Sequence, residues 1–339
     1  VNRTLYRALL LIAAALLTNI ARAQTLYTFP AQTFTPVYVF INSATKTLDI
    51  TMYELVDTTA QQDLAAVAKK GVTVRVILDQ NLEKSSNTTA YNYLKANGVS
   101  VHWANTKYQA THQKTITIDG KSSLILTANL TSRYYAETRD FALIDNDPAD
   151  VAAIEATFAA DFKNATITPS TATDLIWSPT DSSADLLALI NNAAHNLTIE
   201  SEEMSDSAIV TALENAAKRG VAVKVIMTND ANEYATEFNA LTAAGVQVHT
   251  LTDNATTLYI HAKVTIVDFG LSATQKVFVG SENYSVASLT ENRELGLILT
   301  ATAVLDSLNT TLASDFAAGT AWPTTKVSSK TALRHRPRP

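Results

Sequence analysis

Residues 48–57, LDITMYELVD, lead through a helical stretch into residues 71–79, GVTVRVILD. Residues 197–206, LTIESEEMSD, lead through a similar stretch into residues 220–228, GVAVKVIMT. Each copy reads strand, helix, strand. The β-branched runs supply the strands. Apolar spacing predicts the helices, from Leu64, Ala65, Val67 and Ala68 in one copy and Ile209, Leu213, Ala216 and Ala217 in the other. Gly71 and Gly220 stand where a helix ends in a residue of positive φ. Outward from this unit the match continues. LKANGVSVH (94–102) answers LTAAGVQVH (241–249), ETRDFALI (137–144) answers ENRELGLI (291–298), and both halves close on an Ala-rich helix ending in Asp161-Phe162 and Asp315-Phe316.

Strands alternating with helices in two copies predict an α/β protein of two duplicated lobes, each a mixed sheet flanked by helices. A pseudo-two-fold axis would relate the lobes and place the active site at their interface. The boundaries read as a first lobe over 24–163, a Thr-, Ser- and Pro-rich linker over 164–183, a second lobe over 184–320, and a basic, disordered tail over 321–339. Residues 1–23 read as a signal peptide: Arg3 and Arg7, an apolar run from Ala8 to Leu17, then Ala21-Arg22-Ala23, with cleavage before Gln24. A secreted or periplasmic protein is the expectation. The chain has no cysteine, which removes disulfides and Cys-based zinc sites. Its net charge of −6 understates the acidity of the body, because basic residues gather at both ends. An acidic body argues against a dedicated nucleic-acid binder.

The chemistry sits in a second duplication. His112-Gln-Lys114 and His261-Ala-Lys263 each enter a β-branched run, so His and Lys, two apart, project to one face. Asp119 and Asp268 follow each His by an odd offset and read as structural anchors. Downstream, LTAN (126–129) and GSEN (280–283) place Thr127 and Asn129, and Ser281 and Asn283, as donors to phosphate oxygens. Asp140 and Glu294 follow as carboxylates able to fix a histidine tautomer; the alternative for each is an ion pair with its neighbour Arg139 or Arg293. Tyr53-Glu54, Glu202-Glu203, Tyr108 and Tyr259 are candidates for cleft walls; Glu202 or Glu203 could attract a cationic head group such as choline, and the alternative for these acids is a solvated loop. His102 and His249, paired by the duplication, read as structural.

These motifs resemble those of the phospholipase D superfamily, H-x-K-(x4)-D followed by G-S-x-N and an N-x-E acid, over roughly Phe34 to Phe316. The second copy fits throughout: His261, Lys263, Asp268, Gly280-Ser281-x-Asn283 and Asn292-x-Glu294. The first departs at Leu126-Thr127 and Thr138-x-Asp140 while keeping a hydroxyl and a carboxylate. The resemblance implies two-step covalent catalysis, with His112 as nucleophile, His261 as acid, and Lys114, Lys263, Asn129 and Asn283 stabilising charge on the phosphoryl oxygens. It calls for no metal and no cofactor.

On this reading the chain is a phospholipase D acting on phosphatidyl lipids, touching a membrane surface transiently, and monomeric with an internal pseudo-dimer. A nuclease of the same superfamily, with nucleic acid as partner, and a phosphatidyltransferase resembling cardiolipin synthase are the alternatives. A non-enzymatic binding module fits poorly with every catalytic residue type present twice.

Overall fold

The computed structural model describes residues 24–254 and 256–328; the expected signal peptide and the end of the basic tail lie outside the described residues. In the first half β1 (Thr25–Phe29), β2 (Thr47–Met52), β3 (Thr73–Leu78), β4 (Ser100–Trp103), β5 (Thr115–Ile118), β6 (Ser122–Leu126) and β7 (Thr138–Asp145) form a sheet in the order β1-β7-β6-β5-β2-β3-β4. The second half repeats it with β8 (Leu175–Ser178), β9 (Asn196–Glu200), β10 (Ala222–Asn229), β11 (Gln247–Thr252), β13 (Val264–Val267), β14 (Lys276–Gly280), β15 (Glu294–Leu299) and β16 (Thr320–Ala321), ordered β16-β11-β10-β9-β13-β14-β15-β8. In each sheet the strands either side of the predicted helices run parallel and the motif strands antiparallel. The predicted α/β lobes are therefore present.

The helices begin and end on residues that the duplication repeats. Asp57 caps helix Thr58–Lys69 by accepting from the amides of Thr59 and Ala60, and Asp206 does the same for helix Ser207–Lys218 with Ala208 and Ile209. Gly71 and Gly220, at φ 95° and 93°, turn each chain out of its helix into the next strand.

Two boundaries move. Leu175–Ser178, inside the stretch read as linker, is β8, which pairs antiparallel with β15 as β1 pairs with β7. The second repeat therefore opens with its own copy of β1. Its four residues are buried as an edge strand and carry too short a pattern to stand out beside the Ser- and Thr-rich residues around them. At the other end, β16 lies against β11, and Trp322 is buried with its indole N–H on Asn239. The first residues of the basic tail belong to the second lobe.

The lobes share apolar surface as well as each having a core. Phe141, Leu143 and Ile154 of the first pack with Trp177, Ile266, Leu295, Leu305 and Leu308 of the second. Two ion pairs also cross. Arg139 meets Asp315 through Nε at 2.5 Å and Nη2 at 2.9 Å, and Arg293 meets Asp161 at 2.9 Å. These arginines are the ones that sequence alone offered as partners for Asp140 and Glu294. They reach instead for the aspartate of the Asp-Phe pair in the opposite lobe, and so leave those acids for the histidines. The Phe of each Asp-Phe pair stacks on His102 or His249, whose Nδ1 lies 2.8 Å from the Phe162 or Phe316 carbonyl oxygen.

Asp119 and Asp268 anchor the loops that lead into β2 and β9. Each sits at positive φ, 56° and 51°. Asp119 accepts from the amides of Thr45, Lys46 and Thr47, and Asp268 from those of Ala194, His195 and Asn196. Asp119→Ala is expected to destabilise the fold by about 1–3 kcal/mol at neutral pH. Hydrogen bonds hold the Asp119 carboxyl down at about 2 against the opposing effect of burial. A folded value below the unfolded one contributes stability above the ordinary carboxyl range, which is lost as pH falls through about 2. Denaturant melts of both proteins should show the gap narrowing over that window; a gap independent of pH would contradict the role.

Candidate active site

Each motif strand crosses to the other lobe just before it joins its own sheet. β12 (Tyr259–Ile260) runs parallel to β7 of the first lobe, and the His261 amide donates to the Arg139 carbonyl at 3.2 Å. The reciprocal contact is the bridge of Thr111 to Arg293, with the amides of His112 and Gln113 both donating to the Arg293 carbonyl at 3.0 Å. Each histidine is thereby set beside the residue after the opposite lobe's arginine. His112 Nδ1 lies 2.7 Å from Glu294 Oε2, and His261 Nδ1 lies 2.8 Å from Asp140 Oδ1. The pairs are crossed: neither lobe holds both members of one.

The carboxylates are themselves held. Glu294 Oε1 accepts from Ser288 at 2.6 Å and from the Asn292 amide at 3.0 Å; Asp140 accepts from Thr127 at 2.6 Å. Burial alone would raise both carboxyls. His112 and Lys114 outweigh it at Glu294, and His261 and Lys263 at Asp140, so both stand below their ordinary value. A carboxylate on Nδ1 puts the ring proton there and leaves Nε2 with its lone pair for chemistry. Burial, helped by Lys114 and Lys263, outweighs the opposing pull of Glu294 and holds the His112 ring below its ordinary value, a shift toward the neutral form.

Lys114 and Lys263 each donate to the carbonyl of their own motif histidine, Lys114 at 2.7 Å. Both are buried. Burial and then the nearby charge of Lys263 bring Lys114 down to about 7. Two ammonium groups this close are stable together only with anions beside them. Asn129 is buried with neither amide atom hydrogen-bonded, and so is the carbonyl oxygen of Asn283. Unpaired buried amides cost about 1–3 kcal/mol each, and such groups collect where a ligand completes them.

Thr127 and Ser281, expected as donors to phosphate, are engaged within the protein. Thr127 gives its proton to Asp140 and accepts from the Phe141 amide, while Ser281 bridges to the backbone of Leu295. The hydroxyls tie the ends of β6 and β14 to β7 and β15. The departure of the first copy at Leu126 also has a structural reason. A Cβ on Gly280 would lie 2.4 Å from the Gly296 Cα and 2.6 Å from the Glu282 carboxylate, so the second copy needs glycine to seat buried Glu282. The first copy has Ala128 there and tolerates Leu126.

His112 opens on a cleft of about 430 Å³ lined also by Asn283, Tyr53, Tyr234, Tyr259 and the acids Glu83, Glu202, Glu203, Asp230 and Glu233, while His261 lies buried behind it. Tyr53 stands edge-on to His112 at 4.7 Å and over Lys114 at 5.1 Å. Glu54 instead accepts from Thr131 below the surface, and Tyr108 lies under the Arg293 guanidinium at 4.6 Å, so neither walls this cleft. Ser288 went unread in the sequence because it belongs to no motif; only its position behind Glu294 gives it a role. Among the described residues no cluster of His, Asp and Glu is arranged to hold a metal ion, and no helix is long and apolar enough to cross a membrane.

A comparison with curated protein sequences finds no match. Among solved structures, phosphatidylserine synthase from Haemophilus influenzae Rd KW20 superposes with a TM-score of 0.69 at 12% identity, over 90% of this chain and 89% of its own. Polyphosphate kinase from Porphyromonas gingivalis gives 0.68 at 15% identity, over 86% of this chain; the match spans 50% of that larger protein. The phospholipase D family member Nuc from Salmonella typhimurium is 23% identical over 44% of this chain and 95% of its own, with a TM-score of 0.39. For the synthase and the kinase, at these identities, the likeness is one of fold. The family model described as cardiolipin synthase, PLD-like domain, matches residues 37–162 and 186–316, most of both lobes. The chain belongs to that family, within the phospholipase D superfamily.

Proposed function

We propose that this protein is a phosphodiesterase that cleaves phosphatidyl lipids through a phosphohistidine. The observation that carries the reading is the pair of crossed His–carboxylate contacts converging with two buried lysines. His112, its ring proton on the Glu294 side, attacks phosphorus with Nε2. The P–N bond forms as the bond from phosphorus to the head-group oxygen breaks, and His261 gives that oxygen a proton from Nε2. Water then attacks phosphorus, His261 takes its proton, and the P–N bond breaks to leave phosphatidate. Lys114, Lys263, Asn129 and Asn283 bind the phosphoryl oxygens as charge gathers on them. Assigning the attack to His112 rests on its neutral ring and its place in the cleft wall.

The cleft favours a lipid over a nucleic acid. A polynucleotide brings further phosphates on either side of the scissile one and is met by Lys and Arg. Among the described residues the lining here offers five carboxylates and no Lys or Arg. A phosphatidyl lipid carries one phosphodiester, and its acyl chains stay in the membrane, which the protein touches only transiently. Export through residues 1–23 belongs to the same reading, since it would bring the enzyme to such a surface.

A covalent intermediate partitions between acceptors. Adding a primary alcohol to a phosphatidylcholine reaction should therefore divert product from phosphatidate to the phosphatidyl alcohol in proportion to alcohol concentration. Phosphatidate as sole product at every concentration would contradict an intermediate open to acceptors. Cleavage of plasmid DNA with no phospholipid touched would replace the lipid reading by the nuclease.

A further inference from the structure

The two halves of the site differ at one position that the duplication makes comparable. Tyr53 of the first lobe corresponds to Glu202 of the second, each following the strand that pairs with its motif strand. Where Tyr53 lays a ring over Lys114, Glu202 places a carboxylate on Lys263. Its Oε2 lies 2.9 Å from Lys263 Nζ, 3.2 Å from the Asn283 amide nitrogen and 3.5 Å from His261 Nε2. An ammonium, an amide N–H and an imidazole nitrogen are the groups a phosphoryl oxygen needs in this half of the site. Buried His261 Nε2 and Asn283 Oδ1 make no hydrogen bond.

We infer that Glu202 is a specificity-determining residue: an internal anion that holds the second half of the phosphate pocket and yields it to diesters whose alcohol carries a cation. This rests on the phosphodiesterase reading above. A diester oxygen that takes Lys263 and Asn283 must displace the carboxylate. Released into the cleft, Glu202 joins Glu83, Glu203, Asp230 and Glu233 along its lining. The crowding is already felt, since burial and then Glu202 push the Glu203 carboxyl up to about 7. An uncharged alcohol leaves the displaced Glu202 carboxylate without the cation it held in Lys263. An amino or quaternary ammonium alcohol restores a partner for Glu202, with the rings of Tyr53, Tyr234 and Tyr259 lining the same space. Selection then works through a penalty on the wrong substrate as much as attraction of the right one.

The test compares phosphatidylcholine with phosphatidylglycerol in mixed micelles, for wild type and Glu202→Gln. The wild type should prefer the choline lipid, and the variant should lower the ratio of the two kcat/KM values by at least about tenfold, chiefly by gaining on phosphatidylglycerol. An unchanged ratio overturns the inference. Glu202→Ala repeats the measurement in case a glutamine amide oxygen stays on Lys263, and thermal melts of both variants report on folding. If neither lipid is cleaved the lipid reading fails, and inorganic phosphate binding by calorimetry still decides on Glu202. Removing the resident anion should tighten that binding at least about tenfold, and equal affinities for wild type and both variants would overturn its place in the pocket.

Discussion

Alanine at His112 or at His261 is expected to lower phospholipid turnover by at least about 10³-fold, because nucleophile and proton donor act in one displacement. The two losses should differ in kind. A substrate with a good leaving group, such as a nitrophenyl phosphodiester, needs no proton on departure. His261→Ala should regain much of its rate on it and collect phosphoryl label, which peptide mapping would place on His112. His112→Ala should stay inactive with every leaving group. Label on His261 in the reciprocal variant would reverse the roles, and near-normal turnover in either alanine variant would end the two-histidine mechanism.

The carboxylates behind the histidines should show the second-largest effect. Replacing such an acid by its amide lowers turnover by about 10⁴ in a serine protease triad, by allowing the wrong tautomer. Asp140→Asn and Glu294→Gln keep the shape of the site and should cost about 10²–10⁴. The crossing makes the outcome specific. Glu294→Gln, in the second lobe, should behave like the loss of His112 and resist rescue by a good leaving group. Asp140→Asn, in the first lobe, should behave like the loss of His261 and be rescued. The opposite pattern would mean that each acid serves the histidine of its own lobe, against the contacts of 2.7 Å and 2.8 Å.

That crossing marks where sequence reading stops. Periods and repeated strings are local, and they gave the lobes, the turns at Gly71 and Gly220, and the anchoring role of Asp119 and Asp268, whereas the Asp57 and Asp206 caps emerged only in the structure. The His-x-Lys faces were legible because two residues apart on a strand share a side. Which acid meets which histidine depends on a strand passing into the other sheet, and no spacing records it. Thr127 and Ser281 look the same in sequence whether they face a ligand or brace a neighbouring strand. β8 was hidden for a different reason: four buried residues beside polar ones give too little alternation to read. Glu202 was legible as an acid near the cleft, but its seat on Lys263 follows only from the packing of β9 beside β13.

The exchange of acids between lobes also sets the order in which the molecule comes alive. His112 leaves the ribosome early, and its partner Glu294 follows 182 residues later. A nascent first half carries both its lysine and its histidine and still lacks Glu294 to orient the ring. The same holds for a chain cut short by a protease or a premature stop anywhere before β15. On the proposed reading, the cell that makes the enzyme carries no active fragment before β15 is made, and that strand acts as the arming step.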